Sequence, residues 1–323
     1  MKDVRIFYYI LASDILPIFL IIFIGYVLGS KFKLDVNSFS KINFYVFVPG
    51  FIFVNIYTTK IPLDMMKVLV FAISMLLANV AIGSIIAKFR NYDKGYKNAF
   101  RNSIMFYNSG NIGLSLITLV FTTGPYLIHG KTPYANMAIT AQIMVLLIQN
   151  IFTNSIGFFL ASSASMDFKD SMKKIFSMPT IYAIPAALLL KLLPVDLTKI
   201  PIWPAAEYIK NAFVPFALIS LGAQLSYTNI SFKNKEVYLS AVTRLLGGPI
   251  IAFLLIKIFG FSGVVAQALM ISSSTPSAVN TALIAVEFDN CKDYASQLVM
   301  VSTLLSTITL TLVIYVSRVI FPV

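Results

Sequence analysis

The chain has 323 residues, of which 58% are hydrophobic and 12% charged, with a mean hydropathy of +0.83 and a formal net charge of +12. A soluble globular domain carries about 25% charged residues, so this balance excludes an ordinary water-soluble fold and points to lipid as the solvent. A single cysteine, Cys291, and a single histidine, His129, exclude an intrachain disulfide, a thiolate cluster and a histidine metal centre, and no metal or cofactor is expected.

A charge at the bilayer centre costs at least ~2.5 kcal/mol, so stretches free of Asp, Glu, Lys and Arg mark the spans. In chain order they are residues 15–30, 42–59, 68–87, 102–130, 132–166, 175–190, 211–232, 245–256, 258–286 and 294–317. A transmembrane helix needs about 20 apolar residues. The stretch 245–256 is short, and it lengthens to Val237 through Ile256 if Arg244 sits near the interface and snorkels. The expected fold is therefore an all-α integral membrane protein of ten transmembrane helices. No linker or soluble insert interrupts it, so residues 1–323 read as a single membrane transport domain. At the amino terminus the apolar run from Ile6 to Ala12 is short and Asp14 interrupts it, which argues against a cleaved signal peptide.

In a membrane protein a basic balance first concerns topology. With the amino terminus outside, the cytoplasmic loops hold Lys31, Lys33 and Lys41; Lys88, Arg90, Lys94, Lys97 and Arg101; Lys169, Lys173 and Lys174; Lys233 and Lys235; and Lys292. The opposite side then carries fewer, so both termini are expected outside a plasma membrane crossed many times. The basic segment from Lys88 to Arg101 reads as a topology determinant that meets anionic lipid head groups, and nucleic acid is not an expected partner.

The fourth and ninth spans are unlike lipid-facing helices. The fourth is interrupted by Tyr107-Asn108-Ser109-Gly110-Asn111-Ile112-Gly113-Leu114-Ser115 and the ninth by Ser272-Ser273-Ser274-Thr275-Pro276-Ser277-Ala278-Val279-Asn280-Thr281. Proline removes a backbone donor, and a lipid-exposed break would leave groups unpaired at several kcal/mol each, so such breaks belong inside a protein core or cavity. Equivalent interruptions in two halves point to a repeat with the binding site at its interface. Five helices per half force an inverted repeat, 1–161 and 162–323, with broken helices 4 and 9 crossing. The alternative is that the Gly, Ser and Asn residues are close-packing contacts between helices.

These segments resemble the auxin efflux carrier family, which contains the plant PIN-formed exporters and many prokaryotic transporters. Asn108 to Leu116 is similar to that family's Asn-x-x-x-x-Gly-x-Pro-Leu segment. Pro276-Ser277-Ala278-Val279-Asn280 through Ala285-Val286-Glu287-Phe288 resembles its prokaryotic Pro-Ser-Ala-Val and Ala-x-Glu-Tyr pattern. Gly25-Tyr26, Leu28-Gly29, Val48-Pro49, Gln142 and Ser220-Leu221-Gly222-Ala223 are supporting matches. The resemblance implies a bile acid:sodium symporter-like elevator fold. Spans one, two, six and seven would form a scaffold, spans three to five and eight to ten a transport bundle, and two chains a homodimer. Ser115 stands where the family often has proline, and the long cytoplasmic loop of the plant carriers is missing between spans five and six.

Half-helices ending at the midplane turn N-terminal N–H groups and positive dipole ends into the cavity, which suits a carboxylate. A small organic anion is the expected substrate. Asn108, Asn111 and Asn280 would supply amides, Ser109 and Ser277 hydroxyls, and Gly110 close backbone approach. Thr275 and Pro276 belong to the same crossover, and Gln142 reaches for the same cavity. For the amides the competing role is interhelical hydrogen bonding. Glu207 and Lys210 read as a gating or coupling pair or as a helix-end salt pair, and Arg244 as an interface residue or an inward-facing site cation. Glu287 either titrates during transport or is solvated at a helix end. No acidic residue lies mid-span, which leaves proton or sodium coupling unsupported.

An intramembrane enzyme would need a nucleophile with a base, paired acids or a metal cluster, and a pump a phosphate-binding loop. Neither pattern occurs, so the chain reads as a secondary or potential-driven carrier and not as an enzyme. A channel, or a sensor or scaffold on a transporter fold, is the alternative.

Overall fold

The computed structural model describes residues 15–58, 65–162, 179–227, 234–288 and 290–323, together with Ala12 and Phe176. The expectations resting on residues 1–11, on Asp14, on Lys169, Lys173 and Lys174, and on Lys233 lie outside the described residues.

Among the described residues the chain is all-helical. In order the helices are α1 (Leu16–Phe32), α2 (residues 36–58), α3 (Met66–Phe89), α4 (Lys94–Met105), α5 (Ser109–Thr122) and α6 (Ala135–Phe152, running on to Ser162). They continue as α7 (Pro179–Lys191), α8 (Trp203–Leu225), α9 (Lys235–Phe259), α10 (Gly263–Ser272), α11 (Val279–Glu287) and α12 (Lys292–Ile320). Of these, α3, α6, α9 and α12 are long and apolar enough to cross a membrane by length and composition. The shorter apolar helices include α5, which follows the break after α4, and α10, which precedes the break before α11. Large side chains such as Leu20, Phe23, Leu77, Ile250 and Ile308 point outward and exposed, the pattern of helices solvated by lipid.

Local chemistry sets several helix ends. The Asp93 carboxylate accepts from the Tyr96 N–H at 2.8 Å and starts α4. The Asn234 side chain accepts from the Glu236 N–H at 3.0 Å and starts α9, which closes at Gly260 with φ +71°, a value glycine takes without strain. Next to these starts, Glu236 accepts from both Arg90 and Tyr92 and ties the end of α3 to the beginning of α9.

The tightest packing joins α1 to α8. A Cβ on Gly222 would stand 1.9 Å from the Ile22 carbonyl oxygen, and one on Gly25 would stand 2.2 Å from that of Ile219. Gly25 and Gly29 lie one turn apart on α1, so the two backbones approach across a face without side chains. Helix α7 lies along α2, and α2 also meets α8. In a second group α3 packs on α4, α6 and α9, α10 on α6, and α12 on α9, α10 and α11. The first turn of α5 touches α8, and α2 touches α6, where the groups meet.

The reading that lengthened the eighth span held for its extent but requires one correction. Helix α9 covers the expected residues, yet Arg244 does not snorkel: it is 0% exposed. It stays inside because the chain at both helix breaks presents backbone carbonyls to it, those of Ile104 and Ser273, so its guanidinium is solvated by protein.

Candidate functional site

Helix α4 stops at Met105 and the chain becomes extended at Phe106, with φ −104° and ψ 117°. Asn108 then starts the next helix, its Oδ1 accepting from the Ile112 N–H at 3.3 Å. Asparagine is favoured at such a start because its side chain satisfies a helix-terminal donor. Helix α10 tightens after Ser272, where Ser274 N–H donates to the Ile271 carbonyl at 3.1 Å and Thr275 N–H to that of Ser272 at 3.2 Å. Pro276, which has no N–H, then stops it.

The two breaks cross as a short antiparallel bridge between Tyr107 and Ser277. Asn108 N–H donates to the Pro276 carbonyl at 2.7 Å, and Ala278 N–H donates to the Phe106 carbonyl at 3.0 Å. Each break thus satisfies backbone groups that the other has released. Side chains complete the joint: Ser277 Oγ donates to the Ser103 carbonyl at 2.8 Å, and Ser302 Oγ accepts from the Ser277 N–H at 3.3 Å. Thr275 turns inward to the Ser272 carbonyl at 2.8 Å.

Arg244 lies behind this bridge. Its Nη1 donates to the Ile104 carbonyl at 2.9 Å, its Nη2 donates to the Ser273 carbonyl, and its Cζ lies 4.8 Å from the centroid of the Tyr107 ring. One guanidinium therefore holds the C-terminal carbonyls of α4 and α10 together, where the two helix dipoles concentrate negative charge. Arg244 is a brace for the crossover.

A cleft of about 30 Å³ borders the bridge. Its walls include Val48, Asn108, Ser109, Gly110, Asn111, Gln149, Asn150, Thr153, Val279 and Asn280. Helices α5 and α11 both begin at this cleft, so their N-termini, with partial positive charge, converge there. Asn108 Nδ2, Gln142 Oε1 and Gln149 Nε2 are buried and have no hydrogen-bond partner among the described residues. Asn111 accepts from Asn43 at 3.0 Å, and Gln142 Nε2 donates to the Ser109 carbonyl at 2.6 Å.

Of the residues expected at the site, Asn108, Ser109, Gly110, Asn111 and Asn280 line the cleft. Gln142 braces it from α6, while Thr275, Pro276 and Ser277 build the bridge. Glu207 and Lys210 pair with each other at 3.2 Å on α8, partly exposed, and do not line it. Glu287 is the last residue of α11. Ser115, where proline was the family expectation, sits in regular helix with φ −64° and ψ −45°, so the break does not depend on a proline there. The sequence reading missed Gln149, Asn150, Thr153 and Asn43. The first and third follow Gln142 on one face of α6, at seven and then four residues further on, a helical spacing visible in the sequence.

Residues 10–173 and 166–314 match the family described as Membrane transport protein. The chain belongs to that family. It is a multi-pass membrane protein of a transport family, and the resemblance to auxin efflux carriers is borne out. A relative from Methanothermobacter thermautotrophicus, described as an uncharacterized transporter, is 23% identical over 308 residues, covering 93% of this chain and 96% of that one. A Rhizobium meliloti protein described as a putative malonate transporter is 24% identical over 120 residues, covering 37% of this chain and 38% of its own.

Proposed function

We propose that this member of the family carries a small organic anion, a carboxylate, across the cell membrane, with the substrate held at the crossing of its two broken passages. The observation that carries the reading is the convergence of the α5 and α11 N-termini on a cleft beside the Asn108 amide, whose Nδ2 has no partner among the described residues. Helix N-termini and amide donors bind a carboxylate without a buried cation. The nearby cation, Arg244, already serves two carbonyls. The malonate named for one relative is a short dicarboxylate, which agrees with this class.

Counting α4 with α5 and α10 with α11 as single passages makes ten membrane crossings in two five-helix halves, inverted with respect to one another. The packing of α1, α2, α7 and α8 on one another supports a fixed scaffold against which the remaining helices move as an elevator. At about 30 Å³ the cleft falls far below the roughly 300 to 1,000 Å³ of small-molecule sites. The substrate therefore enters only when the groups separate, which favours a carrier over an open pore. Among the described side chains no carboxylate is buried, so transport draws on the membrane potential, about 2.3 kcal/mol per charge per 100 mV. The carrier works as a homodimer in the plasma membrane with both termini outside.

The test is solid-supported-membrane electrophysiology on purified proteoliposomes with malonate, other carboxylates and neutral analogues. Saturable currents for carboxylates, lost in Asn108→Ala and Asn280→Ala, are expected. Currents that survive both substitutions would overturn the site, and flux of neutral analogues alone would overturn the anion.

A further inference from the structure

A second cavity lies away from the crossover. It measures about 740 Å³ and lies between the connection after α5, the first turns of α10 and the end of α12. That volume is in the range of small-molecule sites, roughly 300 to 1,000 Å³. Its walls include Tyr126, Tyr134, Gln267, Tyr315, Arg318 and Pro322.

The wall is built and not merely open. The Arg318 guanidinium lies over the Tyr126 ring, 5.2 Å from its centroid. The Tyr126 ring packs on Phe121 at 4.7 Å and meets Tyr134 edge-on at 6.0 Å and 86°. Its hydroxyl donates to Gln267 Oε1, and Gln267 Nε2 donates to the Phe321 carbonyl at 2.6 Å. The aromatic floor is thus held from both ends, with a cation fixed at its rim. Among the described residues the walls come from α10, the end of α12 with the residues after it, and the connection after α5, within one packed group of helices and apart from the cleft at the bridge.

We propose that this cavity is a second binding site, for an amphiphilic anion: a carboxylate or phosphate head against Arg318 and an aliphatic or aromatic body across Tyr126, Tyr134 and Tyr315. Guanidinium groups favour both oxyanions, and tyrosine offers apolar area at little entropic cost. The site stands at helix ends, where lipid head groups and dissolved amphiphiles both reach it. Because its walls belong to one group, an occupant stabilises the protein without blocking the crossover cleft.

The experiment uses the purified full chain in neutral detergent, with decanoate and dioleoylphosphatidylglycerol as probes and decanol and dioleoylphosphatidylcholine as controls. Binding is read by native mass spectrometry and by the shift in thermal midpoint. Saturable decanoate binding is expected, weakened at least about tenfold in Arg318→Gln, retained in part by Arg318→Lys and unchanged in Asn108→Ala. Phosphatidylglycerol that co-purifies and is displaced by decanoate would support the proposal and make the occupant a lipid. Decanoate binding without retained phosphatidylglycerol would support it with a dissolved anion. Equal binding of decanol and decanoate, native affinity in Arg318→Gln or loss of binding in Asn108→Ala would overturn it. The arginine and lysine variants together separate a lost charge from a lost fold.

Discussion

Asn108 donates its backbone N–H to the carbonyl of Pro276 at 2.7 Å, so the residue that begins α5 is paired with the residue that ends the straight run of α10. The same asparagine caps α5 with its Oδ1, while its Nδ2 has no hydrogen-bond partner among the described residues. Its two side-chain atoms therefore have separable jobs. Asn108→Ala loses both, with a capping cost of about 1 kcal/mol, while Asn108→Asp keeps an acceptor for the cap and introduces a repelling charge. Both variants are expected to remain folded and to lose carboxylate currents by at least about tenfold. A native current in Asn108→Asp would remove the amide from the site.

Arg244 separates bracing from binding. Hydrogen bonds to a charged group contribute about 1.5 to 3 kcal/mol each, and this guanidinium makes one to each half-helix end. Arg244→Gln is expected to lower the thermal midpoint substantially, and Arg244→Lys by less, since an ammonium keeps the charge but not the fork. A native midpoint with abolished transport would instead make Arg244 a substrate ligand.

Gly113 tests the role of Gln142 without replacing either hydrogen-bonding residue. A Cβ at Gly113 would stand 2.6 Å from Gln142 Nε2, which donates to the Ser109 carbonyl. Gly113→Ala is expected to push the amide off that carbonyl and to raise the half-saturating substrate concentration about tenfold, the loss of roughly one hydrogen bond. An unchanged half-saturation would show that Gln142 does not shape the cleft.

The α1–α8 contact makes a purely structural prediction. Gly222→Val drives a side chain into the backbone of α1, whereas Gly110→Ala meets only the end of Leu146, at 3.5 Å. Size-exclusion profiles should show little folded protein for the first and a native peak for the second.

A pH dependence follows from Tyr92, in the connection between α3 and α4. Burial, together with its hydrogen bond to Glu236, pushes its pKa up to about 12 from an ordinary 10.0. In the unfolded chain the phenol loses its proton first, so between those values the folded state binds more protons and stability falls as pH rises. The thermal midpoint of the native protein is expected to drop more steeply above pH 10 than that of Tyr92→Phe, and the two should run parallel below pH 9. Parallel curves throughout would show that Tyr92 does not ionise differently on folding.

Much of the molecule was legible along the chain. Charge-free stretches located the helices because a charge is costly in lipid wherever it lies, and the two interruptions were visible because Asn108, Gly110 and Pro276 disfavour continuous helix by local chemistry. The family also left its mark in those segments.

The sequence by itself determined where the helices run and where two of them break, since those depend on each residue's own transfer cost and backbone preference. Only the tertiary structure decided that the breaks pair with each other, that Arg244 turns inward to hold both, and that Gln149, Thr153 and Asn43 join the site. These are contacts between distant parts of the chain, such as Ser277 with Ser103, 174 residues apart. The same arginine that would snorkel on an isolated helix is buried here because the neighbouring half-helices present carbonyls that replace its water. That choice belongs to the packed fold, and no local pattern encodes it.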